Sequence, residues 1–150
     1  MVSELKDKTI LVTGSTGSFG PFVTDYLIEN GAEVIGTYIA DERDEGDYIV
    51  EPDRGSDMEL IAESPEEITY YEVDLTIPEE LESLKEAVEE NHGKIDGIVN
   101  LVGNYMLGDI EKADKYQFEK TFEVHVTAAY LTIRTFREHL EENHGSVINL

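Results

Sequence analysis

The stretch that most limits how this chain folds is Thr13-Gly14-Ser15-Thr16-Gly17-Ser18-Phe19-Gly20. It follows a short apolar, β-rich run over residues 8–13, and Pro21 comes straight after it. Proline suits the first turn of a helix, where its missing N–H costs nothing. A chain that leaves a strand, turns through glycines and enters a helix presents free backbone N–H groups at the positive end of the helix dipole. No Cβ atoms stand in the way of an anion there. That is the chemistry a dinucleotide pyrophosphate requires. The position between strand and helix lifts the loop above an ordinary glycine-rich turn.

The rest of the chain repeats the alternation. Phe22, Val23, Tyr26 and Leu27 recur at helical spacing, and Asn30-Gly31 supplies a stop. Residues 34–38 read as a second strand, completing a βαβ unit. Residues 40–67 are acidic, with proline, glycine and little periodicity, and predict a surface excursion carrying one short helix over 57–62. Residues 68–73 are a third strand. Pro78 opens a helix that turns Leu81, Leu84 and Val88 inward and ends at Asn91-His92-Gly93. Residues 95–102, nearly all apolar, suit a strand covered on both faces. Asp114 caps a long helix running to about residue 142, with Phe118, Phe122, Leu131 and Leu140 among its apolar positions. Asn143-His144-Gly145 stops it, and residues 146–150 form a fifth strand. The pattern predicts a single α/β domain over residues 1–150, with a Rossmann-type, doubly wound parallel sheet of strand order 3-2-1-4-5, incomplete at its C-terminal side.

Two further segments fall where ligands of such sheets bind, beyond the carboxyl ends of the strands. Asp74-Leu75 closes the third strand. A carboxylate there can accept from an adenine amino group or nearby backbone, or serve only as a turn or cap residue. Asn100-Leu101-Val102-Gly103 closes the fourth strand, beside the switch point between strands one and four. At the end of strand two, Tyr38 takes the place where an acid would hold a ribose hydroxyl and a base would hold a 2′-phosphate. The many acids that follow, Asp41 the first, disfavour a 2′-phosphate and tilt the choice between NAD and NADP toward NAD.

With these motifs in place, the chain resembles the N-terminal part of a short-chain dehydrogenase/reductase of the ordinary, non-extended kind. Thr13, Gly14 and Gly20 match that family's TGxxxGxG signature, with Ser18 in place of the middle glycine. Asn100 and Gly103 match its Asn-Asn-Ala-Gly signature, with Leu101 and Val102 departing. Asp74-Leu75, GKIDGIVNLVG and the closing GSVINL also read as family sequence. The glycine spacing fits the TGxxGxxG of the extended, epimerase-like branch as well, but residues 95–103 and the long helix resemble the ordinary branch. The resemblance implies that Gly14, Ser15, Thr16, Ser18, Phe19, Gly20, Tyr38, Asp74, Leu75, Asn100, Leu101, Val102 and Gly103 bind NAD or NADP. It implies hydride transfer between nicotinamide and a carbonyl or alcohol substrate, and self-association through the helix at 114–142. The family's catalytic Asn position falls on His125, where an imidazole either bonds a water or backbone carbonyl, or simply packs. The family's Ser and Tyr-x-x-x-Lys would fall C-terminal to Leu150. The resemblance therefore implies that this chain alone is inactive. A non-catalytic nucleotide-binding module of the same fold, or an acidic interaction protein, are the alternative readings.

Composition narrows the remaining classes. With no cysteine there is no disulfide or thiolate site, and the four histidines form no paired metal motif, so no metal site is expected. The N-terminal apolar run is too short for a signal peptide and acids precede it, so a cytoplasmic location is the expectation, with no membrane partner. Acids outnumber Lys and Arg by 34 to 11, a net charge of −23, which repels nucleic acid. Few lysines among so many acids also resemble proteins adapted to high salt. Thermal melts across a KCl series should then rise by several degrees between low salt and about 1 M, where the Debye length shrinks to roughly 3 Å. A flat or falling series would count against that adaptation.

Overall fold

The computed structural model describes residues 5–39, 68–104, 110–111 and 113–150. Five strands, β1 (Thr9–Thr13), β2 (Glu33–Tyr38), β3 (Ile68–Glu72), β4 (Gly97–Asn100) and β5 (Ser146–Asn149), pair in parallel in the order β3-β2-β1-β4-β5. This is the predicted doubly wound order, with each strand within one residue of its expected ends except β4, which is two residues shorter at both. The surface excursion at 40–67, with its expected helix at 57–62, lies outside the described residues.

β1 organises the sheet. All five of its residues are buried, because it pairs with β2 on one side and β4 on the other and is covered on both faces. Strand periodicity of two then divides the core. Leu11, Ile35 and Ile98 point to one face, where helix α2 (Pro78–Asn91) contributes Leu81, Leu84 and Val88. Ile10, Val12, Val34 and Val99 point to the other, under Leu27 of helix α1 (Gly20–Glu29). The inward face of α1 differs from the sequence reading. Thr24 and Leu27 are buried, whereas Phe22 and Tyr26 stand 77% and 63% exposed. Helical spacing identified an apolar stripe without showing which flank of it meets the sheet.

The single long helix expected at 114–142 is broken. Asp114 caps helix α3 (Lys115–Phe122) as predicted, in a reciprocal box with Gln117. A π-helical turn, Glu123–Thr127, follows, then α4 (Ala128–Thr135) and α5 (Arg137–Asn143). The break before α5 has two local causes. Thr132 Oγ1 donates back to the Ala128 carbonyl, which bends a helix, and Phe136 is fully buried in the core at the junction. α5 ends on His144 in the left-handed region, φ 51°, with Gly145 N–H returning to Leu140 O.

Side chains at the amino edge of the sheet tie strands to helices. His139 Nδ1 accepts the Ile95 N–H while its Nε2 meets Glu89 at 3.0 Å, so this imidazole is structural cement. His92 likewise links Tyr71 and Glu33. Asp96 is buried and receives both Lys8 Nζ at 2.9 Å and the Thr9 N–H at 3.1 Å. Burial pushes its carboxyl up, but the Lys8 hydrogen bond, the Thr9 N–H and the charges of Lys8 and Lys94 outweigh that and hold it below its ordinary value. A folded carboxyl that titrates below its unfolded value adds stability above about pH 4, and that stability is lost as pH falls through the folded value. Asp96→Ala should cost about 2–3 kcal/mol in urea melts at pH 7. The cost should shrink on acidification toward the folded titration point, and an unchanged cost would disprove the pairing.

Candidate functional site

The glycine loop is built against its neighbours. Gly14 has φ +63°, a conformation costly for a side chain, and a Cβ there would stand 3.1 Å from the main chain of Val102. Ser15 is buried and sends both its N–H and its hydroxyl to the Thr37 carbonyl at 3.0 Å, fastening the loop to the end of β2. Two successive turns follow, Gly17 N–H to Gly14 O and Gly20 N–H to Gly17 O. Gly20 is the tightest position, since an added Cβ would lie 1.8 Å from Ser15 O. The sequence reading assigns glycine here to the approach of a ligand, whereas the structure shows that the loop's own backbone already demands it. Among the described residues the N–H groups of Thr16, Ser18 and Phe19 have no acceptor, and Ser18 and Phe19 are exposed beside the N-terminus of α1. The first turn of that helix carries no acid. In a chain of net charge −23, this is an uncommon stretch without anionic side chains.

The other strand ends complete the edge. Thr13, Asn100 and Asn149 are register partners across β1, β4 and β5. Thr13 Oγ1 donates to Asn100 Oδ1 at 3.2 Å, and Asn100 Nδ2 donates to Asn149 Oδ1 at 2.7 Å. Leu101 N–H continues the ladder to Thr13 O. Asp74 forms a turn with its own neighbours, Oδ1 accepting from the Thr76 N–H and hydroxyl, while its own N–H goes to Glu80. Its second carboxylate oxygen is left for another donor. Leu75 is buried beneath it. Tyr38, half-buried, meets Tyr70 edge-on at 6.5 Å between centroids. Asp41 lies outside the described residues.

Thr13, Leu75, Asn100, Val102 and His125 line one small cavity beside the C-terminal end of β5. The structure therefore brings together Gly14, Asn100, Val102, Gly103 and His125, and sets Tyr38 and Asp74 at the ends of β2 and β3. His125 reaches this edge from the π-helical turn, with its Nε2 against the main chain of Asn104. One spacing escapes the sequence reading. Tyr116 and Lys120 form a Tyr-x-x-x-Lys step on α3, although neither lines this cavity. Lys120 pairs with Glu123 at 2.9 Å, and that hydrogen bond holds its ammonium above its ordinary value despite partial burial. Among the described residues no group of three acids or histidines could hold a metal ion, and no helix is long and apolar enough to cross a membrane.

The family model described as short chain dehydrogenase matches residues 8–150. The chain belongs to the short-chain dehydrogenase family. An uncharacterized oxidoreductase of Methylorubrum extorquens is 28% identical over 99% of this chain and 56% of its own length. The 3-oxoacyl-[acyl-carrier-protein] reductase FabG of Vibrio cholerae is 26% identical over 97% of this chain and 55% of its own. Among solved structures, a short-chain dehydrogenase from Streptomyces avermitilis superposes with a TM-score of 0.74 at 26% identity, covering 93% of this chain and 47% of that one. The ligand-free aldohexose dehydrogenase of Thermoplasma acidophilum shares the fold, with a TM-score of 0.72 at 19% identity, over 95% and 48%. The chain spans about half the length of most of the relatives it matches.

The steric demand at Gly20 is directly testable. Gly20→Ala should lower the melting temperature by several degrees, because the Ser15 carbonyl must move by more than an ångström to admit a methyl group. Gly93→Ala, where a Cβ meets nothing within 4 Å, should cost only the strain of its positive φ. Equal melting temperatures for Gly20→Ala and the parent chain would show that the loop is not closed as described.

Proposed function

We propose that this chain is the cofactor-binding half of a NAD(P)-dependent oxidoreductase that moves a hydride between nicotinamide and a carbonyl or alcohol carbon. The observation that carries the reading is the set of unsatisfied N–H groups at Thr16, Ser18 and Phe19, ahead of an acid-free helix N-terminus. These groups fit a pyrophosphate, which would take the backbone donors and the helix dipole together. The free oxygen of Asp74 suits the adenine amino group. Tyr38 and Tyr70 offer an apolar flank to the adenosine, and the acids following strand two favour NAD over NADP. When bound, the dinucleotide supplies the hydride chemistry.

The protein's own part in catalysis is to hold the cofactor at the carboxyl edge and to present a proton donor. No tyrosine with a lysine four residues on lines the cavity, since Tyr116 and Lys120 sit on α3 instead. The proton donor of the whole protein is therefore proposed to come from outside these 150 residues, and the substrate with it. The resemblance also supports self-association. Phe118, Phe122, Val126 and Tyr130 recur every four residues and are all 45–64% exposed, and α3 with the π-helical turn buries no residue. An apolar stripe of this length on a projecting helix suits a second copy of the chain.

A non-catalytic nucleotide-binding module remains the second reading. It is favoured by His125, which stands at the family's Asn position fastened to the backbone. Calorimetry with NADH and NADPH should give binding to the 150-residue chain, tighter for NADH. Gly20→Ala should abolish it, while Gly31→Ala, with a positive φ far from the loop, should retain it as a folding control. Failure of both dinucleotides to bind a folded chain would overturn the assignment. The chain alone should show no NADH oxidation with ketones or aldehydes. Turnover by it would refute the proposed division of catalysis. Phe118→Glu with Phe122→Glu should convert any dimer seen by light scattering to monomer.

A further inference from the structure

His125 sits at the centre of the π-helical turn Glu123–Thr127. A single turn of this kind shifts a side chain out of register with the helix on either side and often marks a functional position. The displaced ring lies against the main chain that leaves β4. A Cβ on Gly103 would stand 2.7 Å from its Cε1, so only glycine admits the ring this closely. Its Nε2 is 2.5 Å from the Asn104 carbonyl oxygen and 3.1 Å from the Asn104 amide nitrogen. One ring nitrogen cannot serve both at once. Protonated, it donates to the carbonyl; unprotonated, it accepts from the N–H. Among the described residues the imidazole is the one side chain bonded to Asn104, whose own side-chain oxygen is buried without a partner.

We infer that His125 is a proton-dependent positioning residue, which sets the main chain at Gly103–Asn104 in one of two hydrogen-bonded forms according to its protonation. The inference rests on reading this edge as the dinucleotide site. An imidazolium can only donate, so acid fixes the carbonyl-bonded form and strips Asn104 N–H of its acceptor. A neutral ring supports either form. Thr13 of β1, Leu75 after β3, Asn100 and Val102 at the end of β4 and Asn149 of β5 carry no ionisable group. Glu123 on the same turn is engaged by Lys120 at 2.9 Å. Leu150, which carries the α-carboxylate of this 150-residue chain, lines the same cavity. Protonation of His125 thus adds a positive charge at the edge where an anionic ligand would lie.

The experiment is a pH titration from 8 to 5.5 by ¹⁵N NMR on the unmodified chain, with NADH affinity measured at each pH for it and for His125→Asn. The Asn104 amide resonance should move with the same midpoint as the His125 ring nitrogens. An Asn104 amide that stays put while His125 titrates would overturn the inference. NADH affinity of the parent chain should rise about threefold or more toward pH 5.5 relative to His125→Asn, because the new charge attracts the dinucleotide phosphates. The same pH profile in both proteins would also overturn it. Absence of NADH binding at every pH would sink the proposed cofactor site, while the Asn104 resonance would still decide the clamp. Should His125→Asn fail to fold, His125→Gln takes its place.

Discussion

The backbone pairing of β1 on both edges is the constraint from which the rest follows. A strand paired on both edges and covered on both faces has no polar surface, so it must read Thr-Ile-Leu-Val-Thr and nothing more hydrophilic. It also has nowhere to go at its carboxyl end except out of the sheet. Because β2 and β4 continue on opposite sides, the chain leaving β1 emerges at the point where the connections diverge, and the crevice there is unavoidable. The tightness of the glycine loop is a consequence. Ser15 must reach Thr37 while Gly14 clears Val102, and α1 must begin within seven residues of the strand.

The same constraint explains why the polar groups gather where they do. Thr13, Asn100 and Asn149 are the last residues of their strands, and each is a register partner of the next. At these positions the sheet's interior ends and side-chain hydrogen bonds can replace apolar packing. At the opposite edge, Lys8, Asp96, His139 and Glu89 perform a fastening role instead. One end of the sheet is fastened by side-chain hydrogen bonds, and the other keeps donors unsatisfied at Thr16, Ser18 and Phe19. That asymmetry is the physical content of saying that this fold binds its ligand at one end.

Much of this was legible in the residues. The alternation of short apolar runs with helical periodicity carried the strand order, and Leu81, Leu84 and Val88 fell inward as their spacing required. The glycine loop was readable because its glycines fall between an apolar β-rich run and a helix-opening proline. What was not legible depended on contacts between distant segments. The exposed side of Phe22 and Tyr26 could not be told from spacing, because a stripe of apolar residues has two flanks. The break at Phe136 arises from the Thr132 hydroxyl bonding back to Ala128 and from Phe136 sinking into the core, not from any proline or glycine. The π-helical turn at His125 has no sequence signature at all, so a residue picked out by its family position turned out to face a particular stretch of main chain. The demand on Gly20 was legible as a glycine but not as a clash with Ser15.

The charge of the chain gives the last step. An acidic protein offers an anionic cofactor a repulsive field, and screening alone cannot make a particular point on its surface attractive. Attraction has to come from fixed dipoles and local geometry. The first turn of α1 has no acid, while the first turn of α2 has Glu79 and Glu80. Both helices have the same dipole and the same proline near their start, yet one has its positive end neutralised and the other does not. Glu80 spends its carboxylate on the Asp74 N–H, closing that helix end to outside anions. Of these two helix N-termini at the carboxyl edge, α1 alone keeps its field and its donors free. Site selection in this molecule is therefore achieved by where acids have been left out, as much as by where glycines have been put in.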